Sequence, residues 1–177
     1  MTQTRLIKRI KVVGLVKIAL VAAIYIITTV GFGDLSYGPI QFRFSELLNF
    51  LAFIDPLYII GLTLGCAISN FFSFGLIDVI VGSLATLIST YLMYKTKNIF
   101  IASLWPVMNC IFVASELYIL GLAPFWLSFG TIALGEFVVM TPIGVPIFEK
   151  LFKNKKLVEA LIFDVENNTW KNKLHLL

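Results

Sequence analysis

Between Val12 and Phe148 the chain passes through six apolar stretches, separated only by short breaks of glycine, proline or charge. They cover about residues 12–30, 40–54, 57–72, 76–94, 99–120 and 125–148. A bilayer core is about 30 Å thick, and a helix needs about 20 apolar residues to cross it. The second stretch is short and flecked with polar residues. None alternates apolar and polar residues as a barrel strand does, so the stretches are predicted as helices. The chain is 59% hydrophobic and 14% charged, against about 25% charged in a soluble domain. A chain this apolar cannot hide its surface in one soluble core. The expected fold is an all-α membrane bundle of six transmembrane helices over residues 1–148, with a short N-terminal lead and a C-terminal tail over residues 149–177.

The breaks fit helix chemistry. Gly31, Gly33, Gly38 and Pro39 open a loop after the first segment, and Asp55-Pro56 ends the second. Ser73-Phe74-Gly75 separates the third from the fourth, and Gly121 and Pro124 turn the chain between the last two. Pro106 predicts a kink in the fifth, while Pro142 and Pro146 stand near the end of the sixth. The tail is mixed and charged, with a weak apolar stripe at Leu157, Leu161 and Phe163.

Basic residues set the expected orientation. Arg5, Lys8, Arg9 and Lys11 precede the first helix. Lys95 and Lys97 lie between the fourth and fifth, and Lys150, Lys153, Lys155, Lys156, Lys171 and Lys173 follow the sixth. With six spans these clusters share one side, which the positive-inside rule makes cytoplasmic. Both termini are then expected in the cytoplasm of a cell whose plasma membrane the chain spans several times. Only Lys17 and Arg43 fall elsewhere, and Lys17 is close enough to the same face to snorkel.

Several function classes are excluded or weakened. The net charge of +4 follows the loop bias, and no basic stripe with spaced aromatics suggests nucleic acid. Cys66 and Cys110 lie inside apolar runs, with no zinc-like spacing, and His175 is the sole histidine. The first apolar run is longer than a signal-peptide core and reads as retained. No G-x-x-x-x-G-K-[ST], G-x-S-x-G or H-E-x-x-H motif occurs. No enzyme activity and no resident cofactor or metal is expected.

Ionisable residues inside a membrane are costly and mark function. Arg43 and Glu46 start the second segment, Asn70 ends the third, Asp78 starts the fourth and Glu116 ends the fifth. Asn109 and Glu136 are deeper. Six spans place nearly all of them in the outward half, so they converge on a pocket open to the outside. Arg43 and Glu46, three apart, share a helix face, and a mutual ion pair is the structural alternative. Asn109 and Glu116, seven apart, share a stripe. Trp105, four before Asn109, stacks on a planar ligand or simply packs. Tyr37 and Gln41 cover the pocket or belong to a solvated loop. Four acids against one arginine favour a ligand that is cationic or rich in N–H donors; a proton pathway is the competing use.

Small residues serve close packing. Gly61-x-x-x-Gly65 with Ser69 suits internal helix contact, and Ala19-x-x-x-Ala23 leaves a similar groove on the first helix.

The run Tyr37-Gly38-Pro39-Ile40-Gln41-Phe42-Arg43-Phe44-Ser45-Glu46 resembles the signature stretch of the QueT family, as does Gly75-Leu76-Ile77-Asp78-Val79-Ile80-Val81-Gly82-Ser83-Leu84-Ala85-Thr86-Leu87. Asn109, Glu116 and Gly135-Glu136 resemble its later landmarks, so the likeness spans about residues 17–148. That family comprises S components, the substrate-binding subunits of energy-coupling factor (ECF) transporters, assigned to queuosine precursors. The resemblance implies a compact six-helix bundle and three partners: a transmembrane coupling subunit (EcfT) and two cytosolic ATPases (EcfA and EcfA'). It gives Ala19 and Ala23 a docking role on the coupling subunit. It implies capture outside, toppling of the subunit within the bilayer and release inside, with ATP spent by the partners. The implied substrate is a 7-deazapurine; a cobalamin-type corrinoid is the alternative within the class. A stand-alone proton-coupled carrier using Glu116 or Glu136, and a ligand-free scaffold, are the alternatives outside it.

Overall fold

The computed structural model describes residues 3–73, 75–163 and 173, and contains no strand among them. Phe74, Lys171 and His175 lie outside the described residues, as do the side chains of Arg5, Lys8, Arg9 and Lys11. The first helix, α1 (Gln3–Gly31), is followed by a single helical turn, α2 (Asp34–Tyr37), inside the expected loop. An extended stretch, residues 41–43, leads into a 3₁₀ helix, Phe44–Asn49, that runs on as α3 (Phe50–Ile54). After the Asp55-Pro56 corner come α4 (Tyr58–Asn70), α5 (Leu76–Lys95) and α6 (Ile99–Ile119). The last rod is α7 (Phe125–Val138), a π-helical stretch Val139–Gly144 and α8 (Val145–Phe152). A short helix, α9 (Lys155–Leu161), ends the continuous part.

Among the described residues, four rods are long and apolar enough to cross a membrane: Val12–Gly31, Leu76–Lys95, Ile99–Ile119 and Phe125–Phe152. The chain is a multi-pass membrane protein. The second and third predicted spans are shorter apolar helices, Phe44–Ile54 and Tyr58–Asn70. The reason for the second is burial: every residue of α3 is buried, so its backbone meets protein rather than lipid and need not match the bilayer thickness. The sixth helix continues beyond the predicted end at residue 148 to Phe152. Pro142 does not end it. Proline has no N–H to give to the ladder, and the helix takes the wider π spacing there.

The long helices pack in chain order, α1 on α4, α4 on α5, α5 on α6 and α6 on α7. The Phe44–Ile54 segment lies among them, touching α1, α4, α5 and the π-helical stretch. Close approach of α1 and α4 depends on Gly61 and Gly65. A Cβ on Gly61 would stand 2.7 Å from the Ile18 carbonyl oxygen, and one on Gly65 would stand 2.9 Å from Tyr25 Cβ. The motif therefore packs internally, as its spacing suggests.

The bundle has two distinct ends. One carries the loop between α1 and the 3₁₀ helix, together with the α4–α5 and α6–α7 turns; it is the loop end. The other holds α9 and the α5–α6 turn and is filled by aromatic residues. Phe50 stacks on Phe148 at 4.7 Å between ring centroids, and Phe53 on Phe152 at 6.3 Å. Val158 and Ile162 join this core from the tail. Lys17 Nζ donates to the carbonyls of Ala160, Leu161 and Ile162 at 2.6, 3.3 and 3.2 Å, capping the C-terminal end of α9.

Candidate functional site

Inside this apolar frame the polar residues gather at one level. A 3₁₀ helix has three residues per turn, so Arg43, Glu46 and Asn49 stack on one face. All three are buried. The Glu46 carboxyl accepts from the Tyr25 hydroxyl of α1 and from Asn49 Nδ2. One residue along, Ser45 accepts from Thr29 Oγ1 at 2.6 Å. Two adjacent side chains of the 3₁₀ helix are thus tied to α1. The preceding strand-like residues are pressed on α7: a Cβ on Gly135 would stand 2.5 Å from the Gln41 carbonyl oxygen.

Between these elements lies a small chamber of about 40 Å³. Gln41, Arg43 and Glu46 line it from the central segment, and Gly82, Ala85 and Thr86 from α5. Pro106, Asn109, Cys110 and Val113 contribute from α6, and Ile132 and Glu136 from α7. Asn109 Nδ2 donates to the Ala85 carbonyl, which holds this chamber-lining amide against α5. Two of the lining residues each hold a buried side-chain atom with no hydrogen-bond partner, Arg43 Nε and Glu136 Oε1. Leaving such an atom unmet costs about 1–3 kcal/mol, more for charged groups, so these atoms mark a place built for something else.

A second, larger cleft of about 570 Å³ opens at the loop end. Its walls are Tyr37 to Gln41 on one side and Leu117, Leu122, Leu127, Ser128 and Thr131 on the other. Gln41 and Ile132 line both spaces, so the cleft, the antechamber below, adjoins the polar chamber. Its volume falls within the range of small-molecule sites, about 300–1,000 Å³. Tyr37 fixes the near wall. Its hydroxyl donates to the Ser69 carbonyl at 2.8 Å, and the Arg43 guanidinium lies 5.8 Å from its ring centroid. Burial raises the Tyr37 phenol above its usual pKa while Arg43 opposes the shift, so the hydroxyl stays a donor.

Of the residues singled out by sequence, Gln41, Arg43, Glu46, Asn109 and Glu136 meet in the chamber, and Tyr37 joins Gln41 in the antechamber. Asn70 and Asp78 sit just outside it, at the α4–α5 turn. Asn70 Nδ2 donates to the Asp78 carbonyl at 3.1 Å, and both side chains are buried. Glu116 is buried, with both carboxyl oxygens unpartnered, but it lines neither space. Seven residues of helix raise it ~10 Å along α6 from Asn109. Trp105 is not brought to the chamber. Helical side chains lean toward the N-terminus, and its indole N–H donates to Thr96 Oγ1 at 2.9 Å beside the aromatic core. Ala19 and Ala23 are exposed on α1. Sequence reasoning missed Tyr25, Asn49 and Thr86. The Arg43-Glu46-Asn49 spacing of three was the available signal for Asn49; Tyr25 and Thr86 carry none beyond their polarity.

Comparison with known proteins gives two matches. A family model described as QueT transporter matches residues 15–153. The queuosine precursor transporter QueT of Lactococcus lactis subsp. cremoris (strain MG1363) is 42% identical over 167 residues, covering 85% of this chain and 98% of that protein. No solved structure matches the chain.

Proposed function

This chain belongs to the QueT transporter family, and from that premise we propose that it is the substrate-binding subunit of an ECF-type uptake transporter, taking up a queuosine precursor of the 7-deazapurine type. The observation that carries the reading is the polar chamber with unpartnered Arg43 and Glu136 atoms, adjoined by an antechamber at one end of the bundle. In the proposed orientation that end faces outside, because the basic clusters lie toward the other. Gln41, Arg43, Glu46, Asn109 and Glu136 hold the ligand, and Tyr37 covers it. Asn70, Asp78 and Glu116 shape the field around the mouth. These spaces suit a flat bicyclic ring better than a corrinoid macrocycle. The two short central helices complete the six-segment bundle of an S component.

Transport itself needs partners in this reading, namely EcfT and the ATPases EcfA and EcfA'. The exposed Ala19 and Ala23 face of α1 gives the coupling subunit a smooth surface on which backbones approach closely. The deciding experiment reconstitutes the chain in vesicles. Uptake of a labelled 7-deazapurine only when EcfT, both ATPases and internal ATP are present supports the proposal. Uptake by the chain alone under a pH gradient overturns it in favour of a proton-coupled carrier using Glu116 or Glu136. Ala19→Trp is expected to abolish assembly while leaving ligand affinity in the isolated chain within about twofold; co-purification reads the first and titration the second.

A further inference from the structure

Six lysines crowd the end of the bundle opposite the antechamber. Lys95 and Lys97 stand at the α5–α6 turn, Lys150 in the last turn of α8, and Lys153, Lys155 and Lys156 where the chain enters α9. All six are exposed. Their positions in the sequence set the expected orientation; their arrangement in the fold adds a surface. Met93, Ile99, Phe148, Phe152 and Val158 pack in one cluster, and each is within two residues of one of these lysines, so the charges ring a single apolar core. Acids do not balance them. Glu149 and Glu159 are the acidic residues of α8 and α9, and Asp55 at the same end already accepts from the backbone N–H groups of Leu57 and Phe163.

Depth identifies the partner. Lys95 is the last residue of the rod Leu76–Lys95, and Lys150 lies two residues before the end of Phe125–Phe152. Lys95 Nζ rests 5.3 and 5.7 Å from the ring centroids of Tyr91 and Tyr94, and tyrosine favours the level of the lipid headgroups. α9 does not carry Lys155 and Lys156 away from that level. Val158 and Ile162 are buried in the core of this end, and Lys17 holds the carbonyls of Ala160, Leu161 and Ile162. We propose that this end is a binding surface for anionic phospholipids, with the lysines meeting the headgroup phosphates in the plane of the leaflet. Each lysine near a membrane surface strengthens attraction to anionic lipid by about fivefold. The long stems let the ammonium groups reach the headgroups while α8 and α9 stay in place. A soluble acidic protein would need these charges to project beyond the headgroups, and the folded-back α9 keeps them close to the bilayer. The surface is independent of what the chamber binds.

The test is thermal unfolding of the purified full chain in a neutral detergent, titrated with phosphatidylglycerol, phosphatidylcholine or glycerol 3-phosphate. The expected result is a midpoint that rises with phosphatidylglycerol alone, because a ligand that binds the folded chain stabilises it. Combining Lys150→Gln, Lys153→Gln, Lys155→Gln and Lys156→Gln is expected to raise the phosphatidylglycerol concentration for half the shift at least tenfold. The matching fourfold change to Arg keeps that concentration within about threefold. Equal shifts with the two lipids overturn the proposal, and so does a Gln variant that responds like the wild type. A shift with glycerol 3-phosphate equal to that with phosphatidylglycerol makes this a site for free phosphate and overturns the lipid assignment. Loss of co-purifying EcfT or ATPases from the Gln variant, with its phosphatidylglycerol response unchanged, assigns the surface to a protein instead. Should the fourfold Gln variant fail to fold, Lys95→Gln with Lys97→Gln, on a separate turn, gives the same comparison.

Discussion

Glu46 shows how a buried carboxyl is held in this molecule. Both its oxygens are occupied, one by the Tyr25 hydroxyl and one by the Asn49 amide. Tyr25 has no exposed surface, so no water replaces it when it is lost. Tyr25→Phe keeps the ring and removes the donor, leaving Glu46 half-satisfied. A hydrogen bond to a charged group is worth about 1.5–3 kcal/mol. The expected outcome is a lower unfolding midpoint in detergent and about tenfold or greater loss of ligand affinity, read by thermal unfolding and titration of the same preparation. A loss of stability with unchanged affinity would make Tyr25 a structural residue only. At this scale the sequence was readable where a residue is expensive. Arg43, Glu46 and Glu136 stand out in apolar runs because a charge there requires a reason. Thr86 does not stand out, because a threonine hydroxyl in a membrane helix can return to its own backbone at little cost, as Thr90 does to Thr86; Tyr25 does not, because a tyrosine is mostly apolar surface. Trp105 misled for a geometric reason: spacing gave its face of the helix, but not the backward lean that carries its indole to Thr96.

Among elements, the contact of α1 with α4 governs where Tyr25 stands. Gly65 leaves the space that Tyr25 Cβ and the Ala22 carbonyl occupy, at 2.9 and 3.1 Å from where a Cβ would be. Gly65→Leu therefore pushes α1 outward at the level of the chamber. Overpacking of this kind costs about 1–3 kcal/mol, and here the displaced residue is the one that holds Glu46. Gly130 on α7 is the control, since a Cβ there meets nothing within 4 Å. Gly130→Ala is expected to be neutral or to stabilise by up to about 1 kcal/mol through helix propensity. Paired unfolding curves check both: a drop for Gly65→Leu alone is the expected pattern, and equal effects would show that the α1–α4 contact is not limiting. The long helices were legible because length and apolarity alone define them. The 3₁₀ entry to α3 and the π-helical stretch were not. Both are set by tertiary neighbours and by the missing N–H of Pro142 rather than by any local pattern.

For the whole molecule, the unexpected feature is how the C-terminal tail engages the end opposite the antechamber. Phe163 packs edge-on to Tyr58 at 5.0 Å, and its backbone N–H donates to Asp55 Oδ2 at 2.8 Å. Lys173 is buried; its ammonium donates to the Phe53 carbonyl at 2.7 Å and to the Tyr94 carbonyl, and lies 4.5 and 4.7 Å from the two ring centroids. The tail thus ties α1, α3, α4 and α5 together beneath the central segment. Burial, with Lys95 adding repulsion, lowers the Lys173 pKa from 10.5 to about 8. An undocked lysine keeps its proton up to the higher value, so between those two values the open form binds more protons than the closed one. Docking therefore strengthens as pH rises from about 8 to about 10.5 and is insensitive to this group below that window. The hydrogen bonds survive the loss of the proton, because a neutral amine still has two N–H groups for the two carbonyls. Lys173→Met keeps the stem and removes the titration. The expected result is that the unfolding midpoint of the wild type, measured against that of Lys173→Met, rises between pH 8 and pH 10 and is level between pH 6 and pH 7. A difference constant across the whole range would mean that Lys173 carries its proton equally in both forms, and its burial would then contribute nothing that depends on pH.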